Sequence, residues 1–147
     1  MKEKEPKNLE ECLELLMQNS DKKSLNEWSE TDEDSATAGI HHGLGTSIRN
    51  NWNLWNPDSE LHKYFNTIGI AHADDMSGII FDSLHRKINK KEINLEEQVT
   101  RYWKHWFIMD SAGAREVLPP NIEGVDEKYL KLYEEFKEEV NDGDKEE

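Results

Sequence analysis

Apolar residues in this chain recur at three- and four-residue intervals, and no convincing run of alternating β-branched residues competes with that pattern. Such spacing lines up side chains on one face of an α-helix, whereas a half-buried strand needs a spacing of two. Leu9, Cys12, Leu13 and Leu16 share one face behind Asn8 and Glu11, a capping-box pair. Cys12 falls in that stripe and reads as a small core residue, not a nucleophile. Ser20 is placed to cap a short second helix carrying Leu25 and Trp28. Thr31 or Asp32 opens a third, whose first turn is acidic as the helix dipole prefers. Ala36, Ile40, Leu44, Ile48 and Trp52 then recur every fourth residue, with Gly39, Gly43 and Gly45 among them. Each glycine weakens a helix by about 1 kcal/mol relative to Ala. Such glycines mark a kink, a break or a close backbone approach.

Asn56-Pro57 reads as a helix start with Pro at the first position, and Leu61, Tyr64, Phe65 and Ile68 follow, with Gly69 as the C-terminal cap. A further helix over residues 73–88 turns Met76, Ile79, Ile80, Leu84 and Ile88 inward and holds Asp74 and Asp75 in its first turn. Asn94 and Glu97 form a second capping box ahead of Leu95, Val99, Tyr102, Trp103 and Trp106. Gly113, Pro119-Pro120 and Gly124 make residues 111–125 a loop. Asp126 caps a last helix bearing Tyr129, Leu132, Tyr133, Phe136 and Val140, and the charged residues 141–147 are expected to fray. The expectation is an all-α fold, a compact single-domain bundle of about five to seven helices with acidic terminal helices. Its 147 residues suit one domain, with flanks at 8–35 and 126–140. Hydrophobic residues reach only 35%, but five Trp, four Tyr and four Phe supply large buried areas.

Charge is placed unevenly. The net charge of −14 divides into −6 over residues 1–40, −1 over 41–110 and −7 over 111–147. A chain this negative is repelled by phosphate backbones and anionic lipid, which argues against ordinary nucleic-acid binding and membrane association. A basic protein partner fits instead. No apolar run approaches the roughly 18 residues of a membrane span. No secretory segment is read, and one cysteine forms no internal disulfide. The expectation is a cytoplasmic protein without a cofactor or bound metal.

Two stretches carry a resemblance. His42-Gly-Leu-Gly-Thr-Ser-Ile-Arg49-Asn50-Asn-Trp52-Asn-Leu-Trp55 and Gly69-Ile-Ala-His72-Ala-Asp74-Asp75-Met-Ser resemble the G-L-G-x-x-I-R-N-x-W-x-L-W and G-I-x-H-P-D-D-M-S motifs of a bacterial and phage family of unknown function. Gln98, Tyr102 and Trp103 match its following helix, so the resemblance covers about residues 40–106. Ala73 stands where the family motif has Pro. The resemblance implies a candidate site at His42, Arg49, Asn50, Trp52, Trp55, His72, Asp74 and Asp75 but no chemistry.

Physically, a packed Arg49 needs a carboxylate, which Asp74 or Asp75 could supply bidentately, as a pin between helices or as an anion clamp. His41, His42 and His72 match no metal-ligand spacing, and His72 before Asp74-Asp75 resembles a helix start. His62, His85 and His105 read as scattered helix-surface residues. Trp52, Trp55, Trp103 and Trp106 read as an aromatic core between two helices, or otherwise as an open groove. Two functions follow. The preferred one is a non-enzymatic acidic protein that binds and inhibits a basic protein partner through Asp32, Glu33, Asp34, Glu134, Glu135, Glu138 and Glu139. Immunity proteins against nuclease toxins and DNA-mimicking viral inhibitors share this size and charge. The alternative is a small ligand-binding or metal-dependent enzyme centred on Arg49, His72, Asp74 and Asp75.

Overall fold

In the computed structural model, which describes residues 5–109 and 124–145, the periodicity becomes a succession of helices. They are α1 (Leu9–Asn19), α2 (Lys22–Ser29), α3 (Glu33–Ile40), α4 (Thr46–Asn51), α5 (Glu60–Thr67), α6 (Ala73–Ile88), α7 (Leu95–Met109) and α8 (Glu127–Lys145), with a π turn at His41–Gly45 joining α3 to α4. The fold is all-α, and the described residues contain no strand. No helix among them is long and apolar enough to cross a membrane.

The centre is α6. Every residue from Asp75 to Arg86 is buried, because α1, α2, α3, α4 and α7 all pack around this one helix. A helix surrounded in this way must be apolar all round or have each polar group partnered. Met76, Ile79, Ile80, Phe81 and Leu84 supply the apolar part. Ser83 accepts from the Gln98 side chain at 3.0 Å, and His85 Nε2 donates to the Thr31 carbonyl at 2.7 Å while meeting Trp28 edge to face. His85 is therefore not the surface residue its spacing suggested: α2 and α3 cover the side of α6 that an isolated helix would leave wet. Cys12 is fully buried, and that burial pushes its thiol pKa well up, consistent with a core role.

The three-glycine segment neither breaks nor runs as a plain α-helix. The π turn at His41–Gly45 inserts one residue into the helical winding. Ala36 and Ile48 would stand about 120° apart on an uninterrupted helix, and one inserted residue brings them within about 20°. Both are buried. Leu44 pays for the realignment: it belongs to the expected apolar stripe yet is 42% exposed.

Gly69 does what its position implied. Its φ is +85°, its N–H donates to the Asn66 carbonyl at 3.0 Å, and the Ile70 N–H donates to the Phe65 carbonyl at 2.9 Å. This is the double-bonded C-terminal motif that favours glycine. A Cβ here would also lie 2.6 Å from Trp103 Cζ2, whose indole N–H donates to the Gly69 carbonyl at 2.9 Å. Trp103 in turn contacts Tyr133 and Phe136 of α8 at ring distances of 5.1 and 5.9 Å.

Some boundaries differ from the sequence expectation. Asp21, not Ser20, caps α2 through the Ser24 N–H, and Ser20 ends α1 instead. Asn56-Pro57 forms a turn, and α5 starts at Glu60 under a Ser59 cap. Asn56 spends its side-chain oxygen on the Asp58 N–H, which holds the turn. Helix α8 runs to Lys145, past Val140 where fraying was expected. The Pro119-Pro120 segment and the Trp106 side chain lie outside the described residues. The four tryptophans do not form one core: Trp103 is buried, Trp52 half-buried and Trp55 53% exposed, with Leu54 turned inward in its place. Asn53, at φ +55°, follows the Trp52 cap of α4 and redirects the chain between them.

Candidate functional site

Arg49 sits on the last turn of α4 and is only 5% exposed. Its guanidinium has five N–H donors, and each has an acceptor within reach. Nη1 donates to Ser77 Oγ at 2.8 Å and faces His41 Nδ1 at 3.5 Å. Nη2 donates to the His41 carbonyl at 2.9 Å and to Thr46 Oγ1 at 3.1 Å. Nε lies 3.3 Å from Asp74 Oδ1. Of the two candidate partners it is thus Asp74 that pairs with Arg49, through one nitrogen and not bidentately. The other donors are taken by His41 of the π turn, by Thr46 and by Ser77, whose hydroxyl in turn donates to the Asp74 carbonyl at 3.0 Å. Gly45 makes this possible, because a Cβ there would stand 2.8 Å from Nη1. Arg49 is a pin joining the π turn, α4 and α6, with no donor left for an anion.

His72 is the N-cap of α6: its Nδ1 accepts from the Asp74 N–H at 3.0 Å. An accepting Nδ1 places the ring proton on Nε2. Asp74 Oδ2 lies 3.7 Å from the same nitrogen, and the exposed Trp55 meets the His72 ring edge to face at 5.5 Å. Asp75 is buried one residue further along α6. His42 and Asn50 are exposed, His42 lying edge to face with His41 at 4.9 Å. The motif residues therefore divide: Arg49, Asp74 and His72 gather at the start of α6, while His42 and Asn50 stay apart from them. Among the described residues no three His, Cys, Asp or Glu side chains could hold a metal ion.

The acidic residues proposed for a partner also divide. Asp32 caps α3 by accepting from the Ser35 N–H at 3.1 Å, and that hydrogen bond holds its carboxyl below the ordinary aspartate range. Glu33 faces the buried Arg86 with both oxygens, at 2.6 and 3.2 Å from Nε and Nη2. Burial alone would raise the Glu33 pKa, but the guanidinium overcomes it and the net shift is downward. Arg86 also reaches Glu97 at 3.2 Å and the Ile93 carbonyl at 2.6 Å, tying α3 and α6 to the start of α7. Asp34 lies 3.7 Å from Arg101. Asp32 and Glu33 thus have roles in the fold, Asp34 stays largely exposed beside Arg101, and α8 carries a further outward acidic face. There Glu134, Glu135, Glu138 and Glu139 are all exposed, and none has an ion pair among the described residues.

A cleft of about 420 Å³ lies among α3, α6 and α7. Asp34, Asp74, Asp75 and Asp82 line it, with Tyr102 on the α7 side. Sequence reasoning passed over Asp82. The available signal was its position as the one acid inside the apolar run Met76–Leu84. Thr37 Oγ1 donates to Asp82 Oδ1 at 2.5 Å, and burial raises the Asp82 pKa.

His41 gives the site a pH dependence. Burial, followed by the Arg49 charge, lowers its pKa. As pH falls through the ordinary histidine value of about 6.5, the unfolded chain takes up this proton before the folded one does, so stability drops. The thermal midpoint is expected to fall between about pH 7 and pH 5, and His41→Gln, which keeps an acceptor for Arg49, to flatten that limb. A limb of unchanged slope in the variant would exclude His41 as its source.

A family model matches residues 5–88, more than half of the chain, and its description is a domain of unknown function (DUF6794). The match spans α1 to α6. It takes in the N-terminal flank that the motif resemblance left out, and it stops before α7. No curated protein and no solved structure matches the chain.

Proposed function

We propose that this chain, which belongs to the DUF6794 family, is a non-enzymatic acidic interaction protein that binds a basic protein partner and inhibits it by covering its cationic surface. The observation that carries this reading is the α8 face. Glu134 and Glu138, like Glu135 and Glu139, stand four residues apart and so project as neighbours. Glu134 and Glu138 fall on the side of α8 opposite the stripe of Tyr129, Leu132, Tyr133 and Phe136 that packs on the core, and Glu135 and Glu139 flank that stripe. Lys131 is 3.7 Å from Glu127 and Lys137 lies over the Tyr133 ring, so the nearby cations are directed elsewhere. Uncompensated charge of one sign steers a complementary partner and speeds encounter. The net charge of −14 acts in the same direction.

The alternative, ligand handling at Arg49, His72, Asp74 and Asp75, needs a guanidinium free to hold an anion, and the donors of Arg49 are engaged within the fold.

The test is affinity capture by the intact chain at low salt and at about 1 M salt, where the screening length shrinks to about 3 Å. A cationic protein retained only at low salt, and lost when Glu134, Glu135, Glu138 and Glu139 are all changed to Gln, is the expected result. Failure to retain any cationic protein at low salt would sink the proposal.

A further inference from the structure

We propose that the groove between α1 and the turn joining α6 to α7 docks an acidic amphipathic segment of a partner protein, with apolar side chains on its floor and carboxylates against Lys87, Lys90 and Lys91. This surface is opposite in sign to the α8 face and does not rest on it. The groove has a volume of about 630 Å³. Leu9 and Leu13 of α1 form one side of its floor, and the half-buried Ile93 and Leu95 form the other. The three lysines stand exposed along it, and Glu10 is the one acid among the described residues that line it. None of the three has an ion pair among the described residues. The lysines that do, Lys7, Lys128 and Lys131, face Glu60, Glu96 and Glu127. In a chain of net charge −14, a local excess of positive charge thus borders apolar surface.

The backbone of Lys90 is a second observation. Helix α6 closes in the same double-bonded motif as α5: the Lys91 N–H donates to the Arg86 carbonyl at 2.8 Å and the Lys90 N–H to the Lys87 carbonyl at 3.1 Å. The residue after the cap is left-handed in both, at φ +85° in Gly69 and +58° in Lys90. Glycine adopts that conformation freely and lysine does not. The helix dipole accounts for a cation in the last turn, where Lys87 stands, but it asks for no lysine at position 90. A side chain held in a disfavoured conformation beside a groove points to use. The two properties of the groove then fix its occupant. A bare anion would leave the apolar floor unused, and a flat lipid surface would not enter the recess. A segment with apolar residues on one side and carboxylates around them meets both, as helices laid in grooves do. The lysine stems can line the rim while their ammonium groups reach the carboxylates.

The test is titration of the full chain at low salt with a capped hexapeptide of four glutamates and two leucines, read by calorimetry and amide chemical shifts. Two control peptides carry glutamine in place of glutamate, or alanine in place of leucine. The parent peptide is expected to bind, with shifts on α1, the end of α6 and the start of α7, and each control to bind more weakly by about tenfold. Changing Lys87, Lys90 and Lys91 together to Gln should remove binding. Lys90→Gly is the sharper variant: it relieves the left-handed strain, so the thermal midpoint should rise while affinity for the peptide falls. Unchanged affinity in either variant overturns the proposal, as does a native chain that ignores the parent peptide. Equal binding of the parent and its alanine control would reduce the contact to charge attraction and overturn the groove. Sedimentation with vesicles of anionic phospholipid, without peptide binding, would assign the lysines to a membrane and overturn it too. The α8 reading is decided separately, by capture of a cationic protein.

Discussion

Arg49→Ala is expected to destabilise the protein by about 3–5 kcal/mol, the range for removing one partner of a buried charge network. Against a total stability of about 5–15 kcal/mol, that would leave the fold marginal. The loss has several parts. The His41 carbonyl, Thr46 Oγ1 and Ser77 Oγ each lose a charged donor, and the π turn loses the group that bridges it to α6. Arg49→Lys should recover only part of the loss, because an ammonium has three donors in a different geometry and cannot reproduce the planar fork. His72→Ala removes a single cap and should cost on the order of 1 kcal/mol. Thermal or urea unfolding of the three variants checks this ordering. A thermal midpoint in Arg49→Ala close to that of the native chain would contradict the pin and reopen the anion-clamp reading.

Trp103→Ala should cost a similar amount, about 3–5 kcal/mol, the range for truncating a large buried aromatic. Trp103 belongs to α7, outside the family match, yet it seals the end of α5 at Gly69 and carries Tyr133 and Phe136 of α8. Its removal opens a cavity between the family segment and the two following helices. The expected signature is loss of near-ultraviolet aromatic signal from the α7–α8 contact together with a lower midpoint. Trp103→Phe keeps a ring but gives up the bond to the Gly69 carbonyl, and should cost less. If Trp103→Ala unfolds at the native midpoint, α7 and α8 do not complete the core of the matched segment.

Much of the fold was legible because helix signals are local. The 73–88 boundaries, the Asn8 cap and the Gly69 stop each depend on residues within one or two turns. Legibility failed where a neighbour decided the outcome. His85 looked like a surface residue and is buried, because α2 and α3 close over α6. Leu44 looked like core and is exposed, because the π turn serves the Arg49 pin and shifts the helical phase. Glu33 looked free for a partner and is held by Arg86, more than fifty residues away in sequence.

The candidate site divides in the same way. A carboxylate partner for Arg49 at Asp74 or Asp75 and the His72 cap could be read from the sequence, since a packed guanidinium needs a carboxylate and a helix start needs an acceptor, but which aspartate pairs, and through one nitrogen only, could not. The roles of Thr46, Ser77 and the His41 carbonyl could not, because they depend on how three segments cross. The burial of Asp82 under Thr37 was equally hidden.

By itself, then, the sequence determined the helical class, most helix ends and the strongly negative charge, all of which follow from spacing, capping chemistry and composition. Only the tertiary structure decided which carboxylates are consumed in holding the helices together and which are left facing outward. That choice depends on the distances between helices remote in sequence, and no local pattern encodes them.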